Sequence, residues 1–538
     1  MDNIKYEHIP QEKFEFAQLD ADIHDKKLET KSRSYFQDAI VRFKKNKSSV
    51  IAAWIIGFLI LYAVLVPIIS PYSVIDDKDK TYVNFPPYIE SIAEMGIGIF
   101  DGAKPLDSQS ERQIAYLHAI GQETGMDPVI DILGETVTIQ KIRGRDVEVK
   151  TYKLEVNTYY LVGMISETIK YSQYEDIQRF QNETGIQVLY PAVLQKDIYG
   201  DKDLGTLNVL QQDMNIWYKC SDTKGTPKTD KDGNLIPAYT TDQTLDDIYD
   251  ADGNLIYEYN STRIEGDDGS YIYALAKSGA VQVRVCYYNY YQYKQWAANE
   301  DNSFTAPMYI MGTNEMGQDI FTAIGVGARF SLIFALLVSA INLVIGAVYG
   351  AIQGYYGGII DLLLDRVSDI LSGVPMIVVV TLFQLHLASK VGSVPAFLLS
   401  FIMTGWIGMA ALTRKQFYRF KSMEHIMAAR TLGASDWRLM FKHIFPNSLG
   451  TIVTSCALVI PGVVSSETSL TYLGIINLSS FAGTTIGTLM EQGQRAMTAA
   501  PHAMLYPALF FSLLMISFNL FGNGLRDAFN PTTRGAEG

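Results

Sequence analysis

The chain is predicted to be a polytopic α-helical membrane protein with six transmembrane helices and an inserted α+β domain. Three observations predict it. Residues 51–70, 330–360, 371–389, 391–413, 449–466 and 503–525 contain no Asp, Glu, Lys or Arg. Each is close to or above the roughly 20 mainly apolar residues that a spanning helix needs. Residues 72–306 have the opposite character, with 37 acidic and 21 basic side chains, and are long enough for a core of their own. The remaining residues hold 20 acidic and 23 basic side chains, so the net charge of −13 belongs to that one stretch. Nothing in this balance points to nucleic acid. Basic residues, finally, gather beside the apolar runs in a pattern that orients them.

Residues 1–48 read as a cytoplasmic tail. Within it Phe36, Ile40 and Phe43 fall at helical spacing with cations between them. That pattern suits an elbow helix lying in the membrane interface before the first span, 49–71. The first apolar run does not read as a cleaved signal peptide, because a long polar stretch precedes it and no small-residue cleavage site follows at a usual distance. Arg42, Lys44, Lys45 and Lys47 abut this span and put the N-terminus in the cytoplasm. Residues 72–305 are then extracytoplasmic. Residues 306–530 hold the other five spans, and six crossings return the tail 531–538 to the cytoplasm. The loop 414–448 falls on the same side, and its Arg414, Lys415, Arg419, Lys421, Arg430, Arg438 and Lys442 agree. The 330–360 run exceeds one span, so its helix is expected to end near Gly354, Gly357 and Gly358.

In the acidic stretch, 136–139, 147–152 and 280–287 read as strands, and 108–123 and 161–185 have helical spacing. The run Lys231-Asp-Gly-Asn-Leu-Ile recurs as Ala251-Asp-Gly-Asn-Leu-Ile, and Asp-Gly before alternating apolar residues is a hairpin signal. Asp246, Asp247, Asp250, Asp252 and Asn254 crowd oxygen ligands together but miss the spacing and terminal glutamate of an EF-hand, so a solvated turn is the favoured reading. Tyr287, Tyr288, Tyr290, Tyr291, Tyr293 and Trp296 form an aromatic cluster. Stacking on a peptide or sugar is weighed against packing as a strand face or at the membrane interface, and packing is favoured. Of three cysteines, Cys456 lies in an apolar run as a small packing residue. Cys220 and Cys286 lie where an oxidising compartment permits a disulfide, which spacing leaves open.

The densest signal is Glu424-His-Ile-Met-Ala-Ala-Arg-Thr-Leu-Gly433-Ala-Ser-Asp-Trp-Arg-Leu-Met-Phe-Lys-His-Ile-Phe-Pro446, a charged helix–turn–helix between apolar runs. Ala428 and Ala429 thin one face of a short helix, and Gly433 supplies the left-handed residue that ends it. Ser435 is placed to cap the next helix, with Asp436 at its positive end and Ala434 between. Pro446 is expected to stop the continuation. The segment resembles the coupling loop of ABC importer permeases, with Met427 where the Glu-Ala-Ala motif has glutamate and Glu424 one turn earlier.

The resemblance extends along the chain to the C-type permeases of dipeptide and oligopeptide importers. The elbow and first span resemble theirs. Met311-Gly-Thr-Asn-Glu-Met-Gly317-Gln-Asp319, Gly325-Val-Gly-Ala-Arg329-Phe-Ser331 and Gly354-Tyr-Tyr-Gly-Gly358 with Asp361, Asp365 and Arg366 continue the likeness. So do Pro375, Glu467-Thr-Ser-Leu-Thr-Tyr-Leu-Gly474 and Asn519-Leu-Phe-Gly-Asn-Gly-Leu-Arg526-Asp527 with Pro531. Phe481-Ala-Gly-Thr-Thr-Ile-Gly487 departs, lacking the family's proline-rich turn and Trp-Gly. The resemblance implies a type I ABC importer permease fold with a large insertion, 72–305, where the family's loop is short. It implies a second permease subunit, two ATP-binding cassette ATPase subunits, a peptide-binding protein outside and peptide as substrate. It implies ATPase coupling through Glu424, Met427, Ala428, Ala429, Gly433, Ala434, Ser435 and Asp436. Location would be the bacterial plasma membrane.

No phosphate-binding Gly-x-x-x-x-Gly-Lys-[Ser/Thr] motif, metal-ligand cluster or nucleophile–base pair stands in the sequence, so no cofactor, metal or catalytic residue is expected. Polar residues inside apolar runs are candidates for the pore because they are costly in hydrocarbon. Glu467, Asn519 and Gln384 are the pore candidates, with Gln353 and His386 behind them. Related permeases carry nickel or other small chelates, and a surface peptide sensor on a permease scaffold is a reading from another class.

Overall fold

The computed structural model describes residues 35–529 apart from 75–78, 97, 143–144, 194, 201–212, 239–247, 250–254, 258–273, 278–279, 477 and 479–483. Residues 1–34 of the expected tail 1–48, the expected tail 531–538, the acids of the 246–254 cluster and residues 481–483 of the departing motif lie outside these. The elbow is a helix, α1 (Tyr35–Lys45), with Arg42, Lys44 and Lys45 in its last turn. Asn46 then caps the first apolar helix, α2 (Lys47–Ile69). Phe43 meets Phe521 edge-on at 5.4 Å, and a Cβ on Gly524 would stand 2.1 Å from Ser49 Oγ. Glycine in the C-terminal signature thus lets the first and last apolar helices touch at one end.

Between the first two long apolar helices the chain builds an α+β domain. Strands β1 (Ala103–Gln109), β2 (Val129–Ile142) and β3 (Arg145–Asn157) form an antiparallel sheet in the order β1-β3-β2. Helix α3 (Glu111–Thr124) carries a full capping box at Ser110 and Gln113 and packs Leu117 and Ile120 on Leu154 and Val156. A second sheet has β4 (Met164–Ile169), β9 (Ala280–Cys286) and β5 (Leu189–Tyr190), with β8 (Ala274–Lys277) also on β9. The expected helix over 161–185 is therefore a strand followed by a helix, α4 (Tyr171–Thr184). Met164 and Ile169 are buried at the two ends of that strand with partly exposed residues between, a side-chain pattern that suits sheet packing. The first Asp-Gly repeat turns as expected, and the second, whose Asp252 and Gly253 lie outside the described residues, stands between two paired strands. Asp230 accepts from the N–H groups of Asp232 and Asn234, and β6 (Ile248–Tyr249) pairs with β7 (Leu255–Tyr257).

The tyrosine cluster is a helix, α5 (Tyr287–Ala298), rather than a strand face. Tyr287, Tyr288, Tyr290, Tyr291, Tyr293 and Trp296 are all buried, in a core shared with Tyr82, Tyr88, Tyr159, Phe180 and Tyr309. Side chains project all round this helix, so aromatics at six of its first ten positions can meet packing partners on several sides. Cys286 ends β9 inside this core, whereas Cys220 packs with Trp217, Tyr218 and Ala119. No disulfide joins them, because each thiol is held in a different apolar cluster. The two sheets are tied by a buried ion pair: Arg284 on β9 donates from Nη1 and Nη2 to Glu123 on α3 at 2.6 and 2.5 Å, with 2% and 3% of the side chains exposed.

Asp319 caps α6 (Ile320–Tyr356), accepting from Thr322 N. At 37 residues it is about 55 Å long, and it ends at Gly357, where the glycines were expected to end it. Gly346, Gly350 and Gly354 lie one turn apart, and a Cβ on each would strike Met409, Ala410 or Phe417. This small-residue stripe lets two helices approach closely. The third apolar segment is broken: α7 (Gly358–Ser372) and α8 (Met376–His386) meet at 75°, with Pro375 at the N-cap of α8. Next come α9 (Ser393–Gly405), α10 (Ile407–Phe420), α11 (Glu424–Thr431), α12 (Asp436–Arg438), a π-helical stretch Leu439–Ile444 and α13 (Phe445–Tyr472). Residues 436–472 act as one apolar helix of 37 residues. Pro446 follows directly on the π-helical stretch as the second residue of α13, and the helix runs on through it rather than stopping as expected. A short helix, α14 (Ile486–Arg495), leads to α15 (His502–Phe529). Among the described residues five helices are long and apolar enough to cross a membrane, or six if the bent pair counts as one span.

Candidate functional site: the helical elbow at residues 424–446

The elbow lies at the far end of α6 from the domain and is built around one left-handed residue. Gly433 has φ +81°. Gly433 N donates to Arg430 O at 3.0 Å and Ala434 N to Ala429 O at 3.1 Å. These are the two bonds of a Schellman ending. A Cβ on Gly433 would meet nothing within 4 Å, so the glycine is needed for its backbone alone.

Below the turn, Ile426 packs with Leu439, Met440 and Ile444 against Phe417 and Tyr355. Ala429 and Ala434 are half-buried beside them, and Glu424, Ala428, Gly433, Ser435 and Asp436 are exposed. Three large apolar side chains stand exposed among the polar ones: Met427 is 54% exposed, Leu432 88% and Trp437 68%. Glu424 stands three residues before Met427, hence beside it on the helix. Ser435 occupies the N-cap position but makes no side-chain cap bond, a departure from the expected cap. Asp436, expected to act at its own helix terminus, instead accepts a 2.5 Å bond from Tyr355 Oη.

Tyr355 is the residue that sequence reasoning missed. Arg430, on the first arm of the elbow, donates from Nη2 to Tyr355 Oη at 3.3 Å and lies over its ring at 5.6 Å. One hydroxyl from the last turn of α6 therefore touches both arms. Alongside it, Arg414 donates to Asp361 at 2.6 Å and to Asp365 at 2.7 Å, Tyr418 Oη donates to the same Asp361 oxygen at 2.6 Å, and Lys421 Nζ donates to Gly354 O at 2.9 Å. These bonds fasten α10 to the ends of α6 and α7. A signal was present, because Gly354-Tyr-Tyr-Gly and Asp361 were visible as motifs, but not their partners 50 to 80 residues away.

The pore candidates are dispersed. Glu467 on α13 is fully buried. Its Oε2 accepts from Ser331 Oγ at 2.7 Å and Thr468 Oγ1 at 3.4 Å, while Oε1 has no partner. Gln384 Nε2 donates to Ser393 O at 2.9 Å and so bridges α8 to the start of α9. Asn519 is exposed, with Nδ2 donating one turn back to Met515 O at 2.9 Å. Gln353 is buried, and His386 is exposed with Nδ1 3.1 Å from Leu382 O.

At the domain end, the 311–319 motif locks the bundle to the segment after α2. Thr313 Oγ1 donates to Tyr82 O at 2.5 Å, and Asn314 Nδ2 donates to Gln318 Oε1 at 2.9 Å and Gln492 Oε1 at 3.3 Å. Gly317, at φ +73°, lies so close to the Asp79 carbonyl that a Cβ would stand 1.9 Å from it. Among the described residues no group of three or more His, Cys, Asp or Glu is placed to hold a metal ion.

Long apolar helices, a broken third segment and the elbow at 424–446 are those of a multi-pass helical membrane protein. The model of the family described as "Binding-protein-dependent transport system inner membrane component" matches residues 343–535. A second, "N-terminal TM domain of oligopeptide transport permease C", matches 34–87. The oligopeptide transport system permease protein OppC of Bacillus subtilis is 37% identical over 223 residues, covering 41% of this chain and 72% of that protein. The dipeptide transport system permease protein DppC of Bacillus subtilis is 34% identical over 224 residues, 41% and 68% of the two chains. OppC of Escherichia coli is 32% identical over 250 residues, 45% and 79%. The chain belongs to the family of binding-protein-dependent transport system inner membrane components. Among solved structures, the inward-facing MetNI methionine ABC transporter is similar at 14% identity and TM-score 0.32, covering 39% of this chain and 96% of that one.

Proposed function

We propose that the chain is a permease subunit of an ATP-driven oligopeptide or dipeptide importer, and that residues 424–446 pass force from an ATPase subunit to the translocation path. The observation that carries this is the elbow itself: exposed Met427, Leu432 and Trp437 on a backbone clasped to α6 through Tyr355. Three large apolar side chains exposed within eleven residues of one turn suit a contact surface, and a clasped elbow transmits a push that a loose loop would absorb. In this reading the coupling residues are Glu424, Met427, Ala428, Ala429, Gly433, Ala434, Ser435 and Asp436, with Tyr355, Arg430 and Arg414 behind them. The names of the relatives support the substrate class.

The rest follows from that assignment. The bent pair α7–α8 counts as one of six spans, both termini lie in the cytoplasm, and residues 72–305 form an inserted extracytoplasmic domain. The chain is not catalytic; two ATPase subunits hydrolyse ATP, a second permease completes the pathway, and a peptide-binding protein delivers substrate. Such ligands drive a change of state only through different affinities for the two states. Glu467, enclosed by hydroxyls, is the strongest pore candidate, while Gln384 and Asn519 hold helix backbone.

A photo-crosslinking side chain in place of Leu432 tests the contact in the assembled membrane complex. The expected product is an adduct with the ATPase subunit, absent when the probe replaces Ile139 on β2. Adducts with lipid alone, or with no ATPase subunit, contradict the reading.

A further inference from the structure

The junction between the domain and α6 contains a cleft of about 640 Å³, within the range of small-ligand sites. Its lining mixes Tyr72, Tyr291 and Tyr309 with Asp79, Glu167, Lys294 and Asp319. Tyr72 and Tyr309 stack at 4.9 Å. Asp79 is held by Tyr287 Oη at 2.5 Å, and Lys294 Nζ lies 3.1 Å from that hydroxyl and 3.8 Å from the carboxylate. Lys294 keeps 42% of its side chain exposed.

Asp319 is the unexplained member. It is 5% exposed. Its Oδ2 accepts from Thr322 N at 2.8 Å and Thr322 Oγ1 at 2.5 Å, which completes a helix cap. Its Oδ1 is buried with no hydrogen-bond partner. Capping needs one oxygen, and Ser, Thr or Asn provides it without a charge. An orphaned carboxylate oxygen away from water is destabilising, and burial pushes this carboxyl up to about 6. The missing element is a donor. A carboxylate accepts only, and aromatic faces beside it attract an organic cation. A hard metal ion would instead want six or more oxygens.

We propose that this cleft binds the amino-terminal end of a peptide, with the primary ammonium donating to Asp319 Oδ1 and the tyrosine rings packing on the first residues. Lys294, at 42% exposure, pairs with the carboxylate of a short peptide. The proposal rests on the importer reading and adds to it a substrate contact that joins the domain to the head of α6.

The test uses the permease–ATPase complex in nanodiscs without nucleotide, with labelled trialanine and N-acetyl-trialanine as probes. The wild-type complex is expected to bind trialanine at least about tenfold more tightly, the scale of one charge-assisted bond. Asp319→Asn keeps an oxygen for the cap and is expected to reduce that preference to within about twofold, without lowering the melting temperature. Lys294→Gln is expected to weaken trialanine binding while leaving the preference for a free amine. Equal binding of the two probes by the wild type, an unchanged preference in Asp319→Asn, or no binding of either overturns the cleft. ATP-driven uptake by the same complex in vesicles separates the two readings. Uptake with no amine preference in binding removes the cleft alone, and amine-dependent binding with no uptake of any peptide removes the importer alone.

Discussion

Replacing Tyr355 with Phe is expected to lower ATP-driven transport by about ten- to a hundredfold while leaving the chain in the membrane and the ATPase subunits bound. The ring still fills its place beside Phe417 and Ile426, so packing is kept. What is lost is one hydroxyl that donates to Asp436 and accepts from Arg430. Hydrogen bonds to charged groups contribute roughly 1.5–3 kcal/mol, and about 1.4 kcal/mol is a factor of ten. Without that clasp the elbow can tilt on Gly433 without moving α6. The measurement is transport rate together with ATP hydrolysis in the same vesicles. Hydrolysis retained with transport lost is the expected pair of results, and equal loss of both would mean that Tyr355 only holds the fold.

Arg284→Met carries the largest expected effect on stability. It strips the buried Glu123 of both guanidinium bonds that tie the two sheets of the domain. Breaking a buried ion pair from one side typically loses about 3–5 kcal/mol, comparable to a large share of one domain's stability. Arg284 also donates from Nε to Met214 O at 2.7 Å and from Nη1 to Pro191 O at 3.3 Å, so the loss extends to the segments that β9 supports. Glu123→Leu combined with Arg284→Met removes both charges and is expected to recover most of the loss. Protease resistance of the domain in intact vesicles reads this directly: the single variant is cut rapidly, the double variant resembles wild type. A double variant as fragile as the single one would show that Arg284 acts through Met214 and Pro191 rather than through the pair.

The sequence made the membrane part legible because hydrocarbon imposes one strict rule, and the charge-free runs marked every apolar segment. It located the elbow for the same kind of reason: two alanines, a glycine and a serine have narrow backbone meanings, and Gly433 is left-handed as expected. What sequence hid were partnerships. Ser435 sits where a cap belongs but makes no cap bond, and Asp436 is drawn to a tyrosine 81 residues away. The third segment breaks at Pro375, where the resembled family breaks its third helix, but the charge-free window 371–389 hid the first arm, which carries Asp361, Asp365 and Asp369. In the domain, strands over 129–157 were anticipated in part because alternation over a long hairpin is a strong signal. The stretch Met164–Ile169 was merged into a helix because its short alternation adjoins a real helical pattern. The tyrosine run gave neither a strict alternation nor a single helical stripe, since its aromatics fall at 287, 288, 290, 291, 293 and 296 with Asn289, Gln292 and Lys294 between them, so only the packing in three dimensions decided between strand and helix.

The account stands on force passing through the elbow to drive peptide inward, and one measurement tests that most directly: ATP-dependent uptake of labelled peptides, with a nickel panel alongside, by the full assembly in proteoliposomes. The wild-type chain is compared with Gly433→Val. A Cβ at this position meets nothing within 4 Å, so the substitution acts only by disfavouring the left-handed backbone. The account predicts peptide uptake in the wild type, abolished or nearly so by Gly433→Val with ATPase subunits still bound. Full uptake by Gly433→Val, or uptake of nickel and no peptide by the wild type, would contradict it.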